Sequence, residues 1–175
     1  MNRLFWGLFL CLLDYEITVG TAVLDLLPDY LGFFLVMKGM EQLAGENSFF
    51  DRGRHLAFGM IIVSVILFIA DLMNPAGMVR VWLWALELIG LIILLVLIRM
   101  NITGILWLER DHNLKLRGDL LKSLWLILIV ICPLCHIFSW VPLVGDICRM
   151  ASTVVSALFL AVFWDSRKSF VQGTK

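Results

Sequence analysis

Charged residues are scarce in this 175-residue chain, at 16% of the sequence, and no polar stretch is long enough to fold into a soluble domain with its own core. Hydrophobic residues reach 61%, well above the share of about half that soluble domains use. The sequence also lacks the GxxxxGKS/T phosphate loop, the dinucleotide-binding GxGxxG pattern, HExxH and GxSxG. These absences predict a single integral membrane domain, residues 1–175, that is not an enzyme and carries no cofactor.

Basic residues are almost missing from one side of the predicted topology. When the chain is divided into six membrane segments, only Arg80 and Arg149 fall on that side. The twelve others fall on the opposite side: Arg3, Lys38, Arg52, Arg54, Arg99, Arg110, Lys115, Arg117, Lys122, Arg167, Lys168 and Lys175. An excess of Lys and Arg marks cytoplasmic loops, so we predict that both termini lie in the cytoplasm. This basic face suits anionic lipid headgroups. Nucleic acid is not expected, because acids alternate with the bases and no aromatic platform accompanies them.

Four segments are apolar over lengths near the 20 or so residues that a hydrocarbon core of about 30 Å requires. They are residues 55–72, 81–98, 123–141 and 143–164. Ile102, Leu106 and Leu108 predict that the fourth helix continues past the bilayer, into a charged cytoplasmic segment at residues 99–122. The spans therefore form a second hairpin over residues 55–98 and a third over residues 123–165.

The first hairpin, residues 1–45, is built differently. Residues 4–13 and 30–43 are apolar but short, and the β-branched residues and Gly20 between them argue against a regular helix. Irregular backbone is tolerated in a membrane only where protein or water covers it. We therefore predict an all-α polytopic protein in which four full spans accompany two short helices, whose connecting loop dips inward beside the spans or caps them.

Four carboxylates gather in that loop without a single Lys or Arg. Asp29 alone could be explained by the positive end of the helix that follows Pro28. Asp14, Glu16 and Asp25 are not explained in this way. Carboxylates that crowd together either raise their own pKa values or attract a cation. We predict a binding site for a cation or proton here, although the spacing matches no known metal loop and the metal, if any, stays unknown.

A second candidate site is a buried polar pair between Glu87, seven residues into the fourth span, and Arg149, at comparable depth in the sixth. A carboxylate in hydrocarbon costs several kcal/mol unless it is paired or neutral. Such a pair could simply fix helix packing. It could also act as a gate or proton relay beside the acidic loop.

Cysteines at positions 132 and 135, followed by His136, form a CxxCH pattern that can mark a redox pair or metal ligands. The pattern lies inside an apolar span, whereas a thiol oxidoreductase needs its pair at a surface. Inert cysteines are common in membrane helices, and Pro133 is a tolerated kink there. A structural role for both cysteines is therefore favoured over a functional one.

Residues 12–43 and 50–57 carry a resemblance to a known group of proteins. The sequence DLLPDYLGFFL at residues 25–35 precedes a stretch at 38–43 and the basic element FDRGR at 50–54. In this order they resemble small, uncharacterised multi-spanning membrane proteins of Gram-positive bacteria. The resemblance covers about the first third of the chain. It implies a bacterial plasma-membrane protein and supplies no activity.

Three functions remain open from the sequence. The first is a small transporter or permease component with the acidic loop as its outer vestibule. The second is a non-catalytic scaffold, sensor or assembly subunit, whose partner is another membrane protein or a second copy of the chain. The small size favours this second function or a homo-oligomer, because six short segments enclose little pathway alone. The third and weakest is a membrane thiol-redox protein.

Overall fold

The structure, a computed structural model, describes residues 1–13, 16–19, 22–25, 29–73, 78–111 and 116–173. Within these ranges helices predominate. The six α-helices are α1 (Asn2–Leu12), α2 (Asp29–Leu43), α3 (Ser48–Leu72), α4 (Met78–Asp111), α5 (Gly118–Ile137) and α6 (Pro142–Gly173). Between α1 and α2 lie two strands, β1 (Glu16–Val19) and β2 (Ala22–Asp25), and a short 3-10 helix, Phe138–Trp140, links α5 to α6.

The four long helices α3 to α6 are the ones that the sequence predicted as spans. Their segments Ser48–Ala70, Val79–Asp111, Gly118–Trp140 and Leu143–Phe170 are long and apolar enough to cross a membrane. The extension of α4 is also confirmed, because this helix continues to Asp111. The short helices α1 and α2, with 11 and 15 residues, match the two short segments of the first hairpin.

The six helices form a closed ring. Each helix contacts the next one in the chain, and α1 also contacts α6. Successive helices are joined by short connections or, between α1 and α2, by the strand pair, so neighbours run in opposite directions. The ring closes where Phe5 of α1 lies 4.9 Å from Trp164 of α6 between ring centroids. The starts of α1, α3 and α5 therefore share one end with the finishes of α2, α4 and α6. We call this end, which carries most of the Lys and Arg, the basic end, and the opposite one the acidic end.

The hydrophobic core lies toward the basic end. Because α1 and α2 are short, six helices pack together there, and the largest fully buried side chains include Phe33, Phe50, Phe159 and Phe163. Toward the acidic end, large apolar side chains are exposed, with Met73, Leu143 and Trp82 at 76%, 75% and 72% of their full area. Such exposure suits contact with hydrocarbon rather than water.

Glycines allow α1 and α2 to approach each other closely. A Cβ atom added at Gly7 would lie 2.6 Å from the backbone nitrogen of Val36, and one added at Gly39 would lie 2.6 Å from that of Leu4. Distances this short leave no room for a side chain between the two backbones. Small residues bring membrane helices together in this way, so that dispersion contacts between the backbones become numerous.

The connection between α4 and α5 is held by one carboxylate. Glu109 Oε1 accepts a hydrogen bond from the Leu116 backbone N–H at 3.0 Å, and its Oε2 accepts one from Gly118 N–H at 3.1 Å. Between these two lies Arg117, with a left-handed backbone at φ 54°. Ser166 of α6 donates its hydroxyl to the Leu116 carbonyl. Glu109 thus satisfies N–H groups at the start of α5 that have no partner within the helix.

The segment between α1 and α2 differs from the irregular loop that the sequence predicted. Residues 16–19 pair antiparallel with residues 22–25, from Glu16 opposite Asp25 to Val19 opposite Ala22. Strand β2 lies against α3. The β-branched residues that argued against helix favour strands, and pairing satisfies backbone groups that a loop at membrane depth would leave open.

Substitution of Gly39 or Gly7 by Ala is expected to lower the free energy of unfolding by about 1–3 kcal/mol, because the methyl group would push α1 and α2 apart. Chemical or thermal unfolding of the detergent-solubilised protein measures this loss. Gly59→Ala is the matched control. This glycine also lies within a helix, but a Cβ there meets no atom within 4 Å, so no loss is expected.

The substitution Glu109→Gln keeps the shape of the side chain but replaces one acceptor by a donor. We expect a loss of about 1–3 kcal/mol in unfolding free energy, because the N–H group of Leu116 or Gly118 is left without a partner. Asp119→Asn removes a charge from the first turn of α5 without breaking such a bond, and should cost less than about 1 kcal/mol. Equal losses in the two variants would contradict a capping role for Glu109.

Candidate functional site

The acidic residues of the predicted loop are partly brought together by the hairpin. Glu16 and Asp25 are directly opposite each other, at the end of the strand pair nearest to α1 and α2. Residues opposite each other in antiparallel strands have Cα atoms about 4.5–5.5 Å apart. Like charges in such positions destabilise the strand pair. Asp14, the fourth member of the predicted site, lies outside the described residues.

Asp29 stands at the point where the hairpin joins the helices. It is half-buried and belongs to the first turn of α2, where a carboxylate is stabilised by the positive end of the helix dipole. Its carbonyl oxygen accepts a long hydrogen bond from the thiol of Cys11, with 3.9 Å between sulfur and oxygen. The start of α2 is thereby tied to the end of α1.

Glu87 and Arg149 are not brought together. The guanidinium of Arg149 forms its ion pair with Asp146, at 3.2 Å, and both side chains are more than 60% exposed. In the ring, α5 lies between α4 and α6, which do not contact each other. Within the part of the chain that the structure describes, Arg149 is thus an exposed partner of Asp146 rather than half of a buried pair. Equal depth in the membrane does not show which helices are neighbours.

The CxxCH residues connect helices. The sulfur of Cys132 lies 3.5 Å from the Ser152 hydroxyl of α6. His136 Nε2 lies 3.1 Å from the carbonyl oxygen of Trp84 in α4, and the two rings stack at 5.0 Å. All four cysteines are free thiols, and no three His, Cys, Asp or Glu side chains among the described residues are grouped so that they could hold a metal ion. These contacts favour the structural role that the sequence predicted.

The sequence did not predict a cavity that lies between α2 and α3 at the basic end. It has a volume of about 210 Å³ and is lined by Met37, Lys38, Glu41, Arg54, His55 and Phe58. Lys38 pairs with Glu41 at 2.8 Å, and Arg54 pairs with Asp51 at 3.0 Å. The basic element at residues 50–54 was a signal for this region, but a sequence does not show that Lys38 of another helix lies beside it.

Basic side chains dominate the electrostatics of this cavity. The hydrogen bond from Lys38 lowers the pKa of the Glu41 carboxyl below its usual value, and the positive charges of Lys38, Arg54 and Arg3 lower it further. Glu41 therefore stays ionised at neutral pH. Glu41 and Asp51 offset two of the three positive charges of Lys38, Arg54 and Arg3, so one positive charge remains in excess.

Arg149→Gln is expected to cost less than about 1 kcal/mol of unfolding free energy, because exposed ion pairs contribute little. Combined with Glu87→Gln in a double-mutant cycle, it should give a coupling energy within about 0.5 kcal/mol of zero. Asp146→Asn, the matched change in its actual partner, should cost as little as Arg149→Gln. A loss of about 3–5 kcal/mol from either half of the Glu87/Arg149 set would instead indicate a buried pair.

Comparisons with known proteins add no family to these observations. Neither models of protein families, nor curated proteins, nor solved structures match the chain. The resemblance of residues 12–57 to membrane proteins of Gram-positive bacteria thus stays a prediction, and function has to be inferred from the placement of the chain's own residues.

Proposed function

We propose that this protein is a multi-spanning membrane protein that binds a cation or protons at its acidic end, as a small transporter or permease component would. The observation that supports this proposal is the register that sets Glu16 opposite Asp25. Carboxylates at directly opposite positions of a strand pair repel each other unless one is protonated or a cation lies between them. Hard cations such as Ca²⁺ and Mg²⁺ are bound by this type of oxygen ligand. Asp14 and Asp29 are the further candidate ligands.

The hairpin is well placed to pass a change of charge on to the helices. Strand β2 lies against α3. Asp29, four residues after the end of β2, begins α2 and is connected through its carbonyl oxygen to Cys11 of α1. Neutralising Glu16 and Asp25 would relieve a repulsion in the strand pair. It would therefore change the equilibrium of a segment that packs against α3 and joins α1 to α2. A ligand shifts such an equilibrium only by the difference between its binding free energies for the two states.

The orientation follows from the charges. Twelve of the fourteen Lys and Arg residues belong to the basic end or its connecting segments, and such an excess is typical of the cytoplasmic side. The first and the last helix both have their outer ends there. The proposal therefore places both termini in the cytoplasm and the acidic hairpin outside. A bacterial plasma membrane is what the resemblance of residues 12–57 implies.

A second function, a non-catalytic scaffold, sensor or assembly subunit, is favoured by a different observation. In each of the four long helices only 22–28% of the most apolar window is buried within the chain. The basic end is filled by apolar side chains of the core such as Phe33, Phe50 and Phe163, which leaves little room for a pathway through one copy. Wide apolar faces on a filled bundle suit contacts with a second copy or another membrane protein.

The proposal predicts a thermal shift that depends on the hairpin. One cation, or one step in pH, should raise the unfolding temperature of the detergent-solubilised protein by about 5–10 °C when the ligand is at about 100 times its Kd. The double variant Glu16→Gln/Asp25→Asn removes both charges of the register pair and should abolish that shift. Differential scanning fluorimetry across mono- and divalent cations and pH values measures it.

Asp119→Asn is the control for this experiment, since it removes a carboxylate from the basic end and should keep the full response. A response that survives in the hairpin variant would locate the ion elsewhere and overturn the proposal. A flat response in the wild type would favour the scaffold. A protein that co-purifies, or a stable oligomer in mild detergent, would then be the expected finding.

A further inference from the structure

We infer that the basic end carries a binding site for an anionic phospholipid. Its phosphate occupies the cavity between α2 and α3, and one acyl chain lies in the groove between α3 and α4. The site is independent of the acidic hairpin, which lies at the opposite end of the ring.

The polar half of the site offers hydrogen-bond donors that are only partly used. Lys38 has three donor hydrogens and forms one ion pair, with Glu41 at 2.8 Å. Arg54 contacts Asp51 through Nη2 at 3.0 Å and lines the cavity beside His55. The side chains of Lys38 and Arg54 are 37% and 38% exposed, so a ligand can reach them. With Arg3 close enough to influence Glu41, the region has the charge that a phosphate group requires.

The apolar half of the site begins where the polar half ends. A second cavity of about 210 Å³ is lined by His55, Leu56, Gly59, Met60, Val63 and Ile93. It shares His55 with the first cavity and follows α3 for roughly 12 Å toward the acidic end, at 1.5 Å per residue. The groove is open at Gly59, because a Cβ atom there would meet nothing within 4 Å.

The order of these two cavities identifies the occupant. Cationic groups lie next to the start of α3, and the apolar groove continues from them toward the middle of the same helix. A cationic surface followed by an apolar groove fits a molecule with an anionic head and a hydrocarbon tail. Such a molecule would lie parallel to α3, a helix long enough to span the bilayer. Free phosphate would use the cationic cavity alone, and a zwitterionic lipid would gain less from the excess positive charge.

The test uses the purified full chain in detergent and counts bound lipid by native mass spectrometry, with phosphatidylglycerol, phosphatidylcholine and inorganic phosphate as the three probes. The wild type should bind phosphatidylglycerol more tightly than phosphatidylcholine and gain nothing from phosphate. Lys38→Gln and Arg54→Gln should each weaken phosphatidylglycerol binding about five-fold, since one basic residue near an anionic lipid contributes about that factor. Gly59→Leu should weaken both lipids by filling the groove.

The control is Arg110→Gln/Lys122→Gln, which removes two exposed charges from the basic end on helices that do not contact α2. It should retain the preference for phosphatidylglycerol. Three results would overturn the inference: equal binding of the two lipids by the wild type, an unchanged preference in the Lys38 and Arg54 variants, or binding of inorganic phosphate as tight as that of phosphatidylglycerol. Circular dichroism confirms that each variant is folded before binding is compared.

Discussion

The close approach of α1 and α2 is the contact on which the ring of six helices depends. An 11-residue helix such as α1 is about 16 Å long and cannot cross a bilayer, so its neighbours have to hold it in place. Gly7 and Gly39 allow the backbones of α1 and α2 to touch. This in turn directs Phe5 toward Phe163, with 6.3 Å between ring centroids. The helices of the first hairpin thus pack between α3 and α6 at the basic end, where the core is formed.

The membrane itself explains why so much of the fold could be predicted. Long apolar segments have few alternatives to helices in lipid, and the four predicted spans correspond to α3, α4, α5 and α6. The sequence also indicated that the residues between α1 and α2 do not continue as a helix. They form paired strands rather than the predicted irregular loop. The sequence indicates how deep a residue lies in the membrane, but it does not indicate the order of the helices around the ring. Glu87 and Arg149 were matched by depth, and α5 lies between their helices.

The residues of the two proposed sites come together in different ways: at one site they are close along the chain, and at the other helix packing brings them together. At the acidic end, carboxylates without nearby Lys or Arg were visible in the sequence, because their gathering depends only on their spacing along one loop. At the basic end, Lys38 and His55 belong to different helices, and only the packing of α2 against α3 places them around one cavity. One site lies on the hairpin that joins α1 to α2, whereas the other lies between α2 and α3 at the basic end. Failure of either one therefore says nothing about the other.

Ring closure through Phe5 and Phe163 has a consequence for biosynthesis. Four helices, α2 to α5, separate these two residues in the chain, so α1 meets α6 only after all four have been synthesised. Membrane helices insert first and associate afterwards, and contacts between distant parts of a chain form slowly. During that interval α1 has only α2 to hold it, and the aromatic face around Phe5 stays open to lipid or to other proteins. The exposure of this face is therefore what distinguishes a chain whose ring is open from one whose ring has closed.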